Sequence, residues 1–225
     1  SATVLRDLDP TLDAVAMTEA DMNRGRYPEH KQRLALGLAA MRHFRDDLRE
    51  ENLPVHYERI DADDQSDGPD DFLRRQIEAH QPERVRVTEP GRVALLEALE
   101  ATCDEAGVLL DVVDDDHFLC THAAFEDWAE GRKELTMEYF YREQRRTHKV
   151  LVTDEGDPVG GNWNFDDENR ESFGADGPGM IPEGPSFQHD ATTRGAVRDV
   201  QDHFPDAPGS LDGFRWPVTP TQART

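Results

Sequence analysis

The chain has 225 residues, enough for one well-buried domain with a tail or for two small domains. Its 25 Lys and Arg stand against 48 Asp and Glu, and the resulting formal charge of -23 repels phosphate backbones, so on charge alone the surface does not grip nucleic acid. The longest apolar run, 34–41, is too short to cross a bilayer and no charged-then-apolar leader opens the chain, so a soluble, cytoplasmic, acidic protein is expected, with Cys103 and Cys120 as free thiols.

In chain order, Leu12 to Thr18 (LDAVAMT) reads as a buried strand and 30–48 as a long helix. On that helix Leu34, Leu38, Met41 and Leu48 recur at helical spacing, and Arg33, Arg45, Asp46 and Arg49 form its wet face. Pro54 ends it, and Val55 to Ile60 alternates as a second strand. After the acidic loop 61–71 comes a shorter helix with Phe72, Leu73 and Ile77 on one side, then Arg84 to Thr88 as a third strand. A helix over 92–105 aligns Val93, Leu96, Leu99 and Cys103, and Val108 to Val113 is the fourth strand. Beyond it the pattern loosens until a helix over 135–148. Glycine, proline and acidic residues then dominate 154–195, a last short helix covers 196–204, and the tail from Phe214 stops without a cap.

Strands alternating with helices of this length predict right-handed crossovers and a doubly wound, Rossmann-like α/β fold with a parallel sheet. Ligands in such sheets bind beyond the carboxyl ends of the strands, here the segments starting at Glu19, Asp61, Glu89 and Asp114. Little chain precedes Leu12, so the opening strand of this fold is expected to be lacking. The expected division is an α/β domain over 1–150 and a linker segment with one short helix over 151–225.

Motifs narrow the chemistry. Thr88-Glu89-Pro90-Gly91 stands where strand gives way to helix and free N–H groups can hold an anion, but an ordinary tight turn explains it better. His117, Cys120 and His122 offer metal-type atoms without a fourth ligand at a recognisable spacing. The DDQSDG run at 63–68 fails as a calcium loop because Arg74 stands where a bidentate Glu is required. No G-x-G-x-x-G, no P-loop and no G-x-S-x-G elbow is present, and nothing nominates a catalytic triad. The densest signal is Gly131 to Arg170, where Arg142, Arg145 and Arg146 lie beside Tyr139, Phe140 and Tyr141. Either an aromatic core or docking against a second domain would use such residues, and docking is the favoured reading.

HKQRLALGLAAMRHFRDDL, VHYERID, VTEPG, FLCTHAAFEDWAEGRKELTMEYFYRE, PVGGNWNFDDENR and GFRWPVTPTQA follow one another along the chain. In that order they resemble the amino-terminal part of the photolyase-related proteins, the iron–sulfur bacterial cryptochromes and (6-4) photolyases. The resemblance implies a light-driven flavoprotein for DNA photoproduct repair or blue-light sensing, of which these residues are the antenna-chromophore domain. It implies 6,7-dimethyl-8-ribityllumazine as antenna, with FAD and a 4Fe-4S cluster only in a helical domain that is not here. Glu19 matches a family glutamate at the lumazine site and His30-Lys31 its His-Lys pair. Tyr27 lies one place from the family tyrosine, and Gly37 faces the pocket where a larger apolar side chain is common. The implied partner is the helical FAD domain, docked through Gly131 to Arg170, with DNA held through that domain and the isolated fragment free to self-associate. No catalytic residue and no metal ligand is expected in this chain. The alternative is a non-catalytic α/β ligand-binding or protein-interaction module with a degenerate pocket.

Overall fold

The computed structural model describes residues 3–20, 28–166, 172–175, 177, 179–180 and 183–225. By contact the chain groups into two units, Ser1–Arg6 with Val112–Pro182, and Asp7–Asp111 with Glu183–Thr225.

The larger unit carries the α/β pattern: β1 (Val15–Thr18), α1 (Lys31–Glu50), β2 (Val55–Glu58), α2 (Pro69–His80), β3 (Arg84–Thr88), α3 (Val93–Ala106) and the start of β4 (Leu109–Val113), joined by α6 (Ala191–His203) and α7 (Pro220–Ala223) from the end of the chain. Local chemistry sets the boundaries. The His30 ring accepts from the Gln32 N–H and opens α1. Pro69 occupies the first turn of α2, where its missing N–H costs nothing, and Asp70 and Asp71 face the positive end of the helix dipole. α3 ends at Gly107, whose φ of 68° suits a residue without Cβ.

The sequence reading misplaced three features. α6 begins five residues before the expected 196, because Asp190 accepts the Thr193 N–H and nucleates a turn that Thr192, Thr193 and Gly195 do not favour by propensity. The tail does have a cap: Thr219 accepts the Gln222 N–H and Pro220 opens α7. The fifth buried position on the α1 stripe is Arg42, after Leu34, Ala35, Leu38 and Ala39, while Met41 is only half-buried.

The core of this unit is the α1–α6 seam. Leu34, Ala35, Leu38 and Ala39 pack with Ala196 and Val200, and Ala207, Phe214 and Val218 from the following chain close the cluster. Alanines on both helices let the backbones approach closely. The strands are arranged as two pairs instead of one sheet: β1 with β2, parallel with Val15 opposite Val55 and Thr18 opposite Glu58, and β3 with β4. No residue of the four strands is buried.

The smaller unit holds the helix α4 (His122–Ala129), absent from the sequence reading, and α5 (Met137–Thr147). Thr121 caps α4 through the Ala124 N–H. Phe125 and Trp128 of α4 meet Phe140 of α5 with ring centroids 5.2 and 4.8 Å apart, an edge-on and a tilted contact typical of aromatic cores. An isolated antiparallel bridge, Val152 to Pro158, turns the following chain back toward α5. No described helix is long and apolar enough to cross a membrane.

Candidate functional site

The carboxyl ends of β1 and β2 are where a doubly wound fold presents its ligand, and here they converge on Glu19. Its side chain is fully buried and accepts four hydrogen bonds. Oε1 takes the Arg42 Nε at 2.7 Å and the Tyr57 hydroxyl at 2.6 Å; Oε2 takes the Arg42 Nη2 at 2.8 Å and the Ile60 N–H at 2.8 Å. An ionised carboxylate offers about four lone-pair positions, so Glu19 is saturated. Arg42, 2% exposed, also reaches Asp199 of α6 at 2.6 Å, and Asp199 takes Arg59 at 2.9 Å, which in turn holds Asp61 at 2.7 Å.

Charge follows geometry. Burial raises the Glu19 pKa, but the hydrogen bonds from Arg42, Tyr57 and Ile60 outweigh it and hold the carboxyl below its ordinary value. Burial likewise opposes the Arg42 charge, and Glu19 and Asp199 more than restore it. Burial, then the bond to Glu19, pushes the Tyr57 hydroxyl well above its ordinary value. Glu19 and Arg42 thus form a fixed ionised pair beside a neutral phenol.

The other expected site residues lie at the start of α1 or outside the described residues. Tyr27 is among the latter. His30, exposed, spends Nδ1 on the Gln32 N–H, 3.2 Å away, and its ring rests against Gly209. Lys31 donates from Nζ to the Pro205 carbonyl at 2.8 Å and from its backbone to the Pro208 carbonyl at 2.9 Å. Gly37 is half-buried on the helix between Leu36 and Leu38. His30 and Lys31 therefore bind the start of α1 to the chain that follows α6, while Glu19 is linked through Arg42 to Asp199 within α6.

In the smaller unit the aromatic–basic segment turns much of its charge inward. The guanidinium of Arg145, 7% exposed, bonds the carbonyls of Val150 and Trp163, each at 3.2 Å, and that of Leu151. Trp163 has the guanidinium carbons of Arg146, Arg145 and Arg142 at 4.4, 5.1 and 5.6 Å from its ring centroid. Asn164 reaches Glu138, which is also paired with Arg142. The two blocks GRKELTMEYFYRE and PVGGNWNF thus clasp each other. Tyr139, Tyr141, Leu151 and Phe165 remain exposed.

The minor candidates stay minor. Beside Thr88 to Gly91, a cavity of about 200 Å³ lies between the starts of α2 and α3, lined by Gly68, Asp70 and Arg92 among others. A Cβ added at Gly91 would meet nothing within 4 Å, so no close backbone approach requires that glycine. His117 and Cys120 are not brought together: His117 Nδ1 pairs with Asp115 at 2.8 Å, and Cys120 bonds the adjacent Thr121 carbonyl.

Sequence reasoning missed Arg42, Tyr57, Arg59 and Asp199. One signal was available: an arginine stands in the apolar stripe of α1, four residues after Leu38, and such a charge demands a buried partner.

Compared with known proteins, the chain matches the family described as deoxyribodipyrimidine photo-lyase-related protein over residues 1–216. It is 38% identical over 223 residues to a protein of Agrobacterium fabrum named (6-4) photolyase. That alignment takes in 99% of this chain and 43% of the relative, so the chain spans less than half the length of the curated protein it matches.

Proposed function

This chain belongs to the deoxyribodipyrimidine photo-lyase-related protein family, and from that premise we propose that it is the amino-terminal α/β antenna part of a photolyase- or cryptochrome-like flavoprotein. The observation that carries the reading is the 38% identity along 99% of the chain to a (6-4) photolyase more than twice its length. In the longer protein, FAD and the 4Fe-4S cluster belong to the remaining helical part, which performs light-driven repair or sensing. That part docks on the segment 131–170, a reading supported by the exposed Tyr139, Tyr141, Leu151 and Phe165. DNA is met through the same part, since a formal charge of -23 repels a duplex. The chain with its docking face bare self-associates.

Of the residues carried over for 6,7-dimethyl-8-ribityllumazine, Glu19, His30 and Lys31 are engaged with the chain itself and do not fit a direct contact shell. The Glu19 carboxylate has no acceptor position left, the His30 Nδ1 caps its own helix, and Lys31 is tied to Pro205. The same saturation favours a second reading, an α/β module that kept the fold and lost the pocket.

Two measurements test these readings. Light-driven repair of a (6-4) photoproduct by the longer protein, and none by this chain supplied with FAD, is the expected pair of results; repair by neither removes the photolyase reading. Titration of the chain with the ribityl lumazine, followed by its fluorescence, decides the antenna role. Saturable binding at micromolar concentration supports it, and no binding at millimolar ligand leaves the pocketless module.

A further inference from the structure

β2 is held from both of its faces. Successive side chains of a strand point to opposite sides, and here Tyr57 turns to Glu19 while His56 turns to α2. The half-buried ring of His56 stacks on that of His80, exposed in the last turn of α2, with centroids 4.1 Å apart and planes 27° from parallel.

Such a pair behaves differently in each of its charge states. With neither ring charged, the contact is aromatic packing. With one proton, a cation lies over a π face, which is attractive. With two, like charges are held at stacking distance and repel. Burial, then His80, opposes the charge on His56 and holds its pKa below the ordinary 6.5. Groups on the packed elements are engaged elsewhere or turned to solvent. β1, whose Ala16 lies opposite His56, brings no titratable group. On β2, Glu58 is bonded to Thr18 and Ser66. On α1, Arg45 pairs with Asp46 and Arg49 reaches the Val55 carbonyl. Asp70 and Asp71 sit at the other end of α2, and Glu78 and Glu83, the carboxylates nearest His80 along the chain, are exposed. On α3, which packs on α2, the thiol of Cys103 is kept protonated by burial and the carboxylates are exposed.

We propose that the His56–His80 stack is an acid-sensitive latch, which pins the end of α2 to β2 while no more than one ring is charged and releases it when both are. The closed contact favours a neutral His56, so latching is complete above pH 6.5 and is lost as the pH falls through the folded value of that ring. What opens is the last turn of α2 with its left-handed cap, where the Gln81 N–H bonds the Ile77 carbonyl at 2.8 Å. The α1–α6 core takes no part. The latch needs neither a chromophore nor any further part of a longer protein.

Amide hydrogen exchange and imidazole NMR on this chain, between pH 8 and 5.5, test the latch. His80→Phe keeps a stacking ring and removes one charge. In the parent, opening at His80 and Gln81, corrected for the intrinsic exchange rate at each pH, is expected to rise by about threefold or more, with α1 and α6 unchanged. In His80→Phe the rise disappears, and the His56 ring titrates at higher pH than in the parent yet still below 6.5, because burial remains. No rise in the parent, an equal rise in both proteins, or a His56 titration that does not move overturns the proposal. So does opening that spreads to α1 and α6, which is general acid unfolding. His80→Gln, which removes the ring as well, is expected to open the turn at pH 8; protection equal to that of the parent would show that the stack holds nothing.

Discussion

Glu19 and Arg42 face each other in a two-bond fork, 2.7 and 2.8 Å, with both side chains 2% exposed or less. Removing one partner strands a buried charge, whereas replacing both with apolar side chains of similar size does not. Arg42→Met is expected to destabilise the larger unit by about 3–5 kcal/mol, and Glu19→Leu together with Arg42→Met by clearly less than the sum of the single changes. Urea denaturation of the four proteins checks this. Additive losses would mean that the pair acts only as two independent buried groups.

The same carboxylate sets an acid limit. Its folded pKa lies below the ordinary 4.5, so it contributes stability above that value and loses it as pH falls through the folded pKa. Asp61 shifts the same way: burial opposes the charge and Arg59 overcomes it. The melting temperature is expected to hold from pH 7 to about 5 and to fall steeply below 4.5. Glu19→Gln flattens part of that fall; a variant with the slope of the parent would show that Glu19 is not the group titrating.

Tyr57 sets an alkaline limit. Its folded pKa is raised, first by burial and then by Glu19, so its contribution is complete below its ordinary value of 10.0 and is lost as pH rises beyond it. Tyr57→Phe, scanned from pH 8 to 11, is expected to be less stable than the parent at pH 8, by about 1.5–3 kcal/mol for the lost hydrogen bond to a charged group. The gap narrows above pH 10, and a constant gap contradicts the assignment.

Gly209 has φ 85°, and a Cβ there would sit 1.8 Å from the His30 Nε2. Gly209→Ala has to expel the ring and adopt an unfavourable backbone, a loss of about 2 kcal/mol or more. In the background of His30→Ala only the backbone cost of about 1–2 kcal/mol remains. Thermal unfolding of the double-mutant set measures the difference, and strict additivity would show that the ring and the glycine do not meet.

Arg145→Lys tests the clasp in the smaller unit. One ammonium cannot reproduce a planar fork serving the carbonyls of Val150, Leu151 and Trp163. The variant is expected to be cut faster by a protease within 150–163, with exchange in α1 and α6 unchanged. An unchanged cleavage rate would place the ordering of that loop elsewhere.

Much of this protein was legible in its sequence. The hydrophobic period of three to four residues placed α1 and α3 within a residue or two and located α2 by Phe72 and Ile77, and short β-branched runs placed β2, β3 and β4. The order of motif blocks was enough to recognise the family that matches residues 1–216. Where local propensity is weak the reading failed: α4 depends on its Thr121 cap, and the first turn of α6 on Asp190.

The site was less legible. Glu19 was singled out as a ligand contact, but only the folded chain shows what consumes its lone pairs. Arg42 and Tyr57 lie 23 and 38 positions along the chain, and Asp199, which closes the set, lies 140 positions from Arg59. The inward turn of the α5 arginines onto Trp163 is hidden for the same reason. Periodicity records what each segment does with its own neighbours and with a generic apolar environment. It determined the helices, the strands and their alternation. Which buried charge meets which partner, and whether neighbouring strands meet at all, depends on the path of the chain between distant positions, and only the tertiary structure fixes that path.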